Sequence, residues 1–220
     1  MRYSWLNQNG LSTCVLFMTG WGMDPLPFSS IPSGRFDILM LSDYQHLEPV
    51  NMQLLAQYEQ CHLVAWSMGV WVAGHLLHEV RDRFTTRTAI GGTLDPIHAT
   101  TGIPPEAYDS ILQNFTRNLL NDFHLSMFTD EQEAQRFFNN RPDRTPDDLL
   151  AELDAFKKHY LNYGTSADIF TQKIVTSRDR VFPFKNQLRA WGKKESTILK
   201  LPHFPFYTLP GWEALVDGAF

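Results

Sequence analysis

The sequence predicts an α/β fold, with a mostly parallel sheet and helices on both faces. Apolar runs of strand length alternate with segments of helical periodicity over residues 1–95 and again over 167–220. This alternation implies parallel strands joined by right-handed crossovers. Between residues 96 and 166 only helical patterns occur, which predicts a helical cap inserted within a single domain.

Length and composition restrict the class of protein. A chain of 220 residues suits one domain with a small insertion, and its net charge of -5 lacks the basic excess of nucleic-acid-binding proteins. The cysteines, Cys14 and Cys61, form neither a disulfide framework nor a zinc motif. Residues 1–10 are too polar for a signal peptide, and no apolar run reaches the length of a membrane span. We therefore expect a cytoplasmic monomer that binds neither nucleic acid nor membrane.

The predicted strands of the first half lead to the most informative motif. Asn9-Gly10 is typical of a tight hairpin turn, so we predict that strands over 2–6 and 13–18 pair directly with each other. The next predicted elements are a strand, a helix, a strand, a helix and a strand, over residues 36–41, 51–59, 62–66, 67–81 and 88–90.

Helical spacing predicts four helices in the cap, after which the α/β pattern resumes. The cap helices are predicted over residues 105–115, 116–123, 130–138 and 146–160. A strand, a helix, a strand and a short terminal helix follow over residues 173–176, 183–191, 197–201 and 212–216.

The segment Ala65-Trp66-Ser67-Met68-Gly69 joins a predicted strand to a predicted helix. A serine at such a sharp turn is presented at the end of the sheet, and small residues two positions before and after it avoid a clash. Glycine is usual at the first small position, and Ala65 also satisfies that steric requirement. A serine between small residues also occurs by chance at helix N-caps, so other residues must support the assignment of Ser67 as a nucleophile.

A serine nucleophile needs a base, and one histidine has a suitable position. In hydrolases with this turn, the acid and the histidine follow the serine in that order. Of the eight histidines, seven precede the serine, lie within its helix or fall before the late strands. His203 is left, in a loop directly after the last predicted strand. Its other interpretation is a surface-loop histidine between prolines.

Two aspartates are candidates for the acid. Asp179 follows the predicted strand over 173–176, and its position before His203 favours it. Asp95 is the alternative, because some serine hydrolases take the acid from an earlier strand. A surface ion pair with a neighbouring arginine is the other interpretation of Asp179.

A serine nucleophile that attacks a carbonyl group also needs hydrogen-bond donors for the oxyanion of the tetrahedral intermediate. The first predicted donor is the backbone N–H of Met68, directly after the serine. The second is expected from the loop after an early strand, where Thr19-Gly20-Trp21-Gly22 occurs. We assign Trp21, because flanking glycines let the backbone turn its N–H group inward. An ordinary strand-exit loop is the alternative interpretation.

Four short segments, in their order and spacing, carry a family resemblance: residues 17–24 (FMTGWGMD), 65–69 (AWSMG), 90–96 (IGGTLDP) and 203–206 (HFPF). Together they resemble the short, BioG-type pimeloyl-[acyl-carrier-protein] methyl ester esterases of biotin synthesis. The resemblance covers most of the chain and implies the α/β-hydrolase fold with a helical cap. Longer biotin-pathway esterases begin the oxyanion loop with histidine where this chain has Thr19, a change that leaves the backbone donors intact.

The resemblance implies a reaction and a role for each of these residues. Ser67 would attack the methyl ester of pimeloyl-acyl carrier protein, with His203 as general base and Asp179 orienting it. Methanol would leave, and water would hydrolyse the acyl-enzyme. The implied partner is the acylated acyl carrier protein, and neither a metal nor an organic cofactor is needed.

The resemblance also implies contacts to the acyl chain and to the carrier. The aromatic residues predicted to contact the substrate are Trp21, Phe115, Phe138 and Phe206. Cap aromatics at helical spacing also commonly form the core of a cap. Acyl carrier proteins are acidic and the stretch over 173–200 is basic, so Arg189 and Lys193 are predicted to contribute to carrier docking. A solvated basic helix is the alternative.

Competing functions share some of these features. A general short-acyl carboxylesterase or thioesterase would use the same three residues. A non-catalytic binding protein of the hydrolase fold is a different class, although all three triad residue types occur here in order. A dehalogenase with an aspartate nucleophile is disfavoured, because Ser67 occupies the turn.

Overall fold

Seven strands form a single sheet in the computed structural model, which describes all residues from Met1 to Phe220. The strands are β1 (Arg2–Asn7), β2 (Thr13–Met18), β3 (Asp37–Ser42), β4 (Gln60–Trp66), β5 (Thr86–Ile90), β6 (Gln172–Thr176) and β7 (Thr197–Leu199). Their order across the sheet is β1-β3-β2-β4-β5-β6-β7. β1 is antiparallel to β3 and the other pairs are parallel, which confirms the predicted mostly parallel sheet.

Helices cover both faces of this sheet. They are α1 (Met68–Leu76), α2 (Pro105–Gln113), α3 (Arg117–Ser126), α4 (Glu131–Asn139), α5 (Pro146–Tyr163), α6 (Phe184–Trp191) and α7 (Trp212–Asp217). One apolar cluster includes Trp71 of α1 and Phe156 of α5, and a second includes Trp212 of α7. Successive residues of β2, Leu16 and Phe17, belong to different clusters, because side chains alternate across a strand.

The predicted hairpin at Asn9-Gly10 is wrong. β1 pairs with β3, and β2 lies between β3 and β4. The backbone N–H groups of Asn9 and Gly10 instead donate to the buried carboxylate of Asp37, at 2.8 and 3.1 Å. β2 is almost fully buried, as a central parallel strand requires, so its burial outweighs the local turn preference.

Outside the cap, three further predicted elements differ in type or are at least two residues shorter than predicted. The helix predicted over 51–59 is a short 3-10 turn, Met52–Leu55, since an isolated nine-residue helical pattern has little intrinsic stability. The helix after the serine ends at Leu76, where the chain turns back towards β5. The last strand ends at Leu199, which pairs with Thr176, the final residue of its only neighbour, β6.

Helices α2 to α5 lie between β5 and β6, in the segment over 96–166 that we call the cap. Side chains define where three of these helices begin: Thr116, Asp130 and Thr145 each accept backbone N–H groups of the first helical turn. No helix in the protein combines the length and the apolar character needed to cross a lipid bilayer.

Candidate active site

Ser67 occupies the sharp turn between β4 and α1. Its backbone has φ 58° and ψ -127°, and Asp43 is the other non-glycine residue with positive φ. Such a conformation costs roughly 1–3 kcal/mol and is common at functional turns. A Cβ atom on Gly69 would lie 2.3 Å from the carbonyl oxygen of Met18. A Cβ atom on Gly92 would lie 2.2 Å from the carbonyl oxygen of Ser67, so both glycines are needed for the turn to pack.

The Ser67 hydroxyl begins a buried chain of hydrogen bonds. Its Oγ lies 3.1 Å from Nε2 of His203, and Nδ1 of His203 lies 2.8 Å from Oδ2 of Asp179. All three residues are buried. The indole Nε1 of Trp66 donates to the backbone carbonyl of His203 at 2.7 Å, which helps to hold the histidine loop. The structure therefore brings together the three residues predicted as nucleophile, base and acid.

Four further groups orient the Asp179 carboxylate. They belong to Thr176, Val181, Phe182 and Gln187. Oδ1 accepts two backbone N–H groups, each at 2.8 Å, and Oδ2 lies 2.8 Å from a hydroxyl and 3.1 Å from a side-chain amide. The oriented carboxylate can accept the Nδ1–H of His203, which leaves Nε2 free to receive a proton from Ser67. This arrangement is suited to nucleophilic acyl transfer.

Asp95, the alternative acid, has different partners. Its Oδ1 accepts the hydroxyl of Thr165 at 2.6 Å and that of Tyr160 at 3.3 Å. It forms no hydrogen bond with His203. The Asp95 carboxylate therefore links the loop after β5 to the end of the cap, and the geometry favours Asp179 as the partner of the histidine.

Trp21 and Met68, the residues predicted to donate to the oxyanion, line the same cavity as Ser67. Met68 is the first residue of α1, and the first N–H groups of a helix have no acceptor within it. The N–H of Trp21 has no acceptor within the chain. Gly20 packs against the serine, with its ideal Cβ position 3.2 Å from Ser67 Oγ. Two unused N–H groups near a serine hydroxyl can stabilise a tetrahedral oxyanion.

A largely apolar cavity of about 290 Å³ opens at Ser67 and His203. Apolar lining residues come mainly from the cap and from the loop after β2: Trp21, Met23, Ile103, Tyr108, Ile111, Leu119, Phe123 and Leu153. The Tyr108 hydroxyl donates to the carbonyl of Leu153 at 2.8 Å, and burial raises the pKa of this phenol, so it stays neutral. A lining of this kind suits an unbranched acyl chain.

The aromatic residues predicted to contact substrate occupy three different environments. Trp21 lines the cavity, and Phe115 lies behind it, with ring centroids 6.2 Å apart. Phe138 packs against Phe137 on α4, and Phe206 is buried in the aromatic cluster on the other side of the sheet. Of these four residues Trp21 lines the cavity, whereas Phe115, Phe138 and Phe206 do not. Helical spacing shows that a segment is amphipathic, but it does not show which side chains meet a cavity.

Several lining residues have no counterpart among the sequence predictions. Tyr108 and Ile111 are three residues apart on α2, and that spacing was the available signal for a shared apolar face. The charged residues Asp122 and Arg180 also line the cavity. Their positions on α3 and directly after Asp179 carry no local signal for a binding site.

The basic residues predicted to dock a carrier lie on α6 and after it. Arg189 is exposed and lines a surface groove together with Arg180 and Lys185. Because Arg180 lines both the groove and the catalytic cavity, the two adjoin. None of these three residues forms a salt bridge. Lys193 lies beyond the end of α6 and outside the groove.

Sequence comparison relates the chain to one family. Residues 1–215 match the family model described as pimeloyl-ACP methyl esterase BioG. The chain is 35% identical over 180 residues to a malonyl-[acyl-carrier protein] O-methyltransferase of Bacteroides fragilis, a match that covers 81% of this chain and 36% of that protein. The chain thus spans little more than a third of this relative. An uncharacterized protein of Haemophilus influenzae is 31% identical over 208 residues, covering 92% of this chain and 94% of the relative.

Structural comparison agrees. The crystal structure of BioG from Haemophilus influenzae has a TM-score of 0.87 at 28% identity, covering 99% of this chain and 100% of that chain. A lipase-esterase related protein from Clostridium acetobutylicum has a TM-score of 0.60 at 13% identity, covering 98% and 94%, which shows the shared α/β-hydrolase fold alone. Since the family model spans nearly the whole chain and the BioG structure shares its fold, the chain belongs to the BioG family, which that model describes as pimeloyl-ACP methyl esterases.

Proposed function

We propose that the protein hydrolyses the methyl ester of pimeloyl-acyl carrier protein in biotin synthesis, through an acyl-enzyme on Ser67. The observation that carries this proposal is the hydrogen-bonded chain from Ser67 through His203 to Asp179, at one end of an apolar cavity. The substrate is supported by the family description, which specifies a pimeloyl-ACP methyl esterase.

The proposed reaction has two chemical steps. Nε2 of His203 takes the Ser67 proton as Oγ bonds to the ester carbonyl carbon, and the oxyanion accepts hydrogen bonds from the N–H groups of Trp21 and Met68. The bond to the methoxy oxygen then breaks, that oxygen takes the proton from His203, and methanol leaves. A water molecule, deprotonated by His203, attacks the acyl-enzyme and releases the free carboxylate with Ser67 restored. Throughout, Asp179 orients the histidine and stabilises its charged form.

A carrier-bound methyl ester is also supported by the relative from Bacteroides fragilis. That protein is named a malonyl-[acyl-carrier protein] O-methyltransferase, and a segment similar to this chain makes up part of it. Methylation of a carrier-bound acid forms the class of ester that the proposed reaction removes. The largely apolar cavity lining is suited to the methylene chain between that ester and the carrier.

The substrate assignment is tested by comparing two esters with the purified protein. We expect kcat/KM for pimeloyl-carrier methyl ester, followed by methanol release, to exceed that for p-nitrophenyl acetate by at least about 100-fold, because contacts remote from the reacting bond lower the barrier. Equal efficiencies would instead indicate a general short-acyl esterase. Growth of an esterase-deficient biotin auxotroph should be restored by the wild type and not by Ser67→Ala. Growth with both would favour a non-catalytic role.

We further propose that the acidic carrier docks on the groove lined by Arg180, Lys185 and Arg189. All three side chains are exposed, and their charges are not neutralised by salt bridges within the chain. Because the groove adjoins the cavity at Arg180, a carrier bound there could direct its acyl group towards Ser67. Complementary charge of this kind chiefly raises the association rate and weakens with salt.

Charge reversal within and outside the groove tests carrier docking. Arg189→Glu is expected to raise KM for the pimeloyl-carrier ester about 5- to 10-fold at low salt, with KM for p-nitrophenyl acetate unchanged. Lys193→Glu makes the same charge change outside the groove and should alter both values less than about 2-fold. A similar rise in KM for both variants would indicate diffuse attraction to the basic stretch. Equal effects on the small ester would contradict a docking role.

A further inference from the structure

A buried carboxylate of the cap contacts the oxyanion loop, residues 19–22, and has no part in the proposed chemistry. Glu152 on α5 is 1% exposed, and its Oε2 accepts the backbone N–H of Gly22 at 3.2 Å. Its Oε1 accepts the backbone N–H of Tyr44 at 3.1 Å. One carboxylate thus holds two loops of the core, which follow the neighbouring strands β2 and β3.

The oxyanion loop is held at two further points. The Tyr44 hydroxyl lies 2.9 Å from the carbonyl oxygen of Thr19, and Nε1 of Trp21 donates to the backbone carbonyl of Leu149 at 2.8 Å. Gly22 has φ +74°, and its ideal Cβ position lies 2.9 Å from Leu149 Cδ2, so a side chain there would strain the backbone and displace Leu149. These contacts lie on both sides of the peptide that carries the Trp21 N–H.

A buried arginine keeps the carboxylate in place. Arg144 forms a close ion pair with Glu152, and the side chains of both residues are 1% exposed. Arg144 also lies 2.8 Å from Asp148 and 3.6 Å from Asp43. Burial raises the pKa of the Glu152 carboxyl, and the positive charge of Arg144 opposes that rise. An ion pair at this depth gains little net stability, because desolvation offsets the attraction. The hydrogen bonds of Glu152 to the two loops indicate instead that the carboxylate positions these loops.

We propose that Glu152 is a positioning residue for the oxyanion hole: through Gly22 and Tyr44 it sets the direction of the Trp21 N–H without touching the substrate. The inference rests on the proposed Ser67 mechanism. It gives the cap a second role besides enclosing the acyl chain, since α5 then controls the rate of the chemical step.

Glu152→Gln tests this role by removing the charge and presenting an amide NH₂ where an N–H donor needs an acceptor. We expect kcat to fall about 10- to 100-fold with KM within about 3-fold, because the oxyanion donor is displaced but not lost. Affinity for a trifluoromethyl ketone, whose adduct with the serine forms an oxyanion, should fall by about the same factor as kcat/KM. Affinity for pimelate monomethyl amide, an unreactive ground-state analogue, should change less than about 3-fold.

Asp148→Asn is the matched control, because Asp148 also pairs with Arg144 but does not contact the oxyanion loop. Its kcat should stay within about 3-fold of wild type. Ser67→Ala, assayed in parallel, separates the two ideas: substantial turnover by that variant overturns the proposed mechanism together with this inference. A folded Glu152→Gln protein with wild-type kcat, beside an inactive Ser67→Ala, overturns the positioning role alone.

A second variant decides the question if Glu152→Gln does not fold. Glu152→Asp keeps the charge that pairs with Arg144 and shortens the side chain by one methylene, which weakens its hydrogen bonds to the N–H groups of Gly22 and Tyr44. This variant should lower kcat about 3- to 10-fold and lower the affinity for the trifluoromethyl ketone by the same factor, with KM unchanged. A wild-type kcat in a folded Glu152→Asp protein would then overturn the inference.

Discussion

Ser67→Ala is expected to lower kcat for the pimeloyl-carrier methyl ester by about 10⁴- to 10⁶-fold, since no covalent intermediate can form. That loss corresponds to at least about 5 kcal/mol of transition-state stabilisation. The fold should be unaffected, because the Ser67 side chain makes no capping hydrogen bond to α1. KM should change little, since the cavity that holds the acyl chain is intact. Steady-state kinetics of methanol release, with a melting curve for each protein, measure these quantities.

Ser126→Ala is the matched control for this prediction. Ser126 lines the same cavity, and its hydroxyl donates to the backbone carbonyl of Phe123 at 2.7 Å. Its kcat should stay within about 3-fold of wild type, and a fluorophosphonate probe should label wild type and Ser126→Ala but not Ser67→Ala. Labelling of Ser67→Ala at the wild-type rate would show that another residue is the nucleophile.

Asp179→Asn is expected to lower kcat by about 10³- to 10⁴-fold. The asparagine oxygen can keep the two backbone N–H bonds, which places its NH₂ group opposite Nδ1 of His203. Nδ1 must then accept a hydrogen bond from this NH₂ group. The imidazole therefore carries its proton on Nε2, and Nε2 cannot receive the proton of Ser67. The rate of labelling by a fluorophosphonate should fall by a similar factor, because it depends on the same proton transfer.

Asp95→Asn distinguishes the two candidate acids. Asp95 hydrogen-bonds to Tyr160 and Thr165 and not to the histidine, so its replacement should leave kcat within about 3-fold of wild type. A loss as large as that of Asp179→Asn would contradict the assignment of Asp179. Because both substitutions remove one negative charge from a loop after a strand, the comparison also controls for a general electrostatic effect.

The three residues of the candidate site could be selected from the sequence because each follows a strand. Ser67, Asp179 and His203 come after the apolar runs that form β4, β6 and β7, and the ends of parallel strands meet at one edge of a sheet. Their order along the chain was therefore sufficient to predict that they lie close together. The same local reasoning failed at Asn9-Gly10, where a turn preference was taken to determine strand pairing.

The cavity lining and its supports were less accessible to sequence analysis. Tyr108 on α2 and Phe206 in the loop before α7 are both aromatic, but of these two only Tyr108 lines the cavity. Glu152 is one of several acidic residues on an amphipathic helix, and its contact with Gly22 joins residues 130 positions apart. Local periodicity contains no information about such a contact, because the contact depends on how the cap helices pack against the core.

The sequence by itself determined the α/β class, the turn that carries Ser67, the order of acid and base, and the family resemblance that the comparisons confirm. These features depend on short-range patterns of burial and on steric limits at one turn. Only the tertiary structure decided that β1 pairs with β3, that Asp179 and not Asp95 reaches His203, and that the cap holds the oxyanion loop. Each of these depends on side chains distant in the sequence that compete for the same partners, and packing resolves that competition.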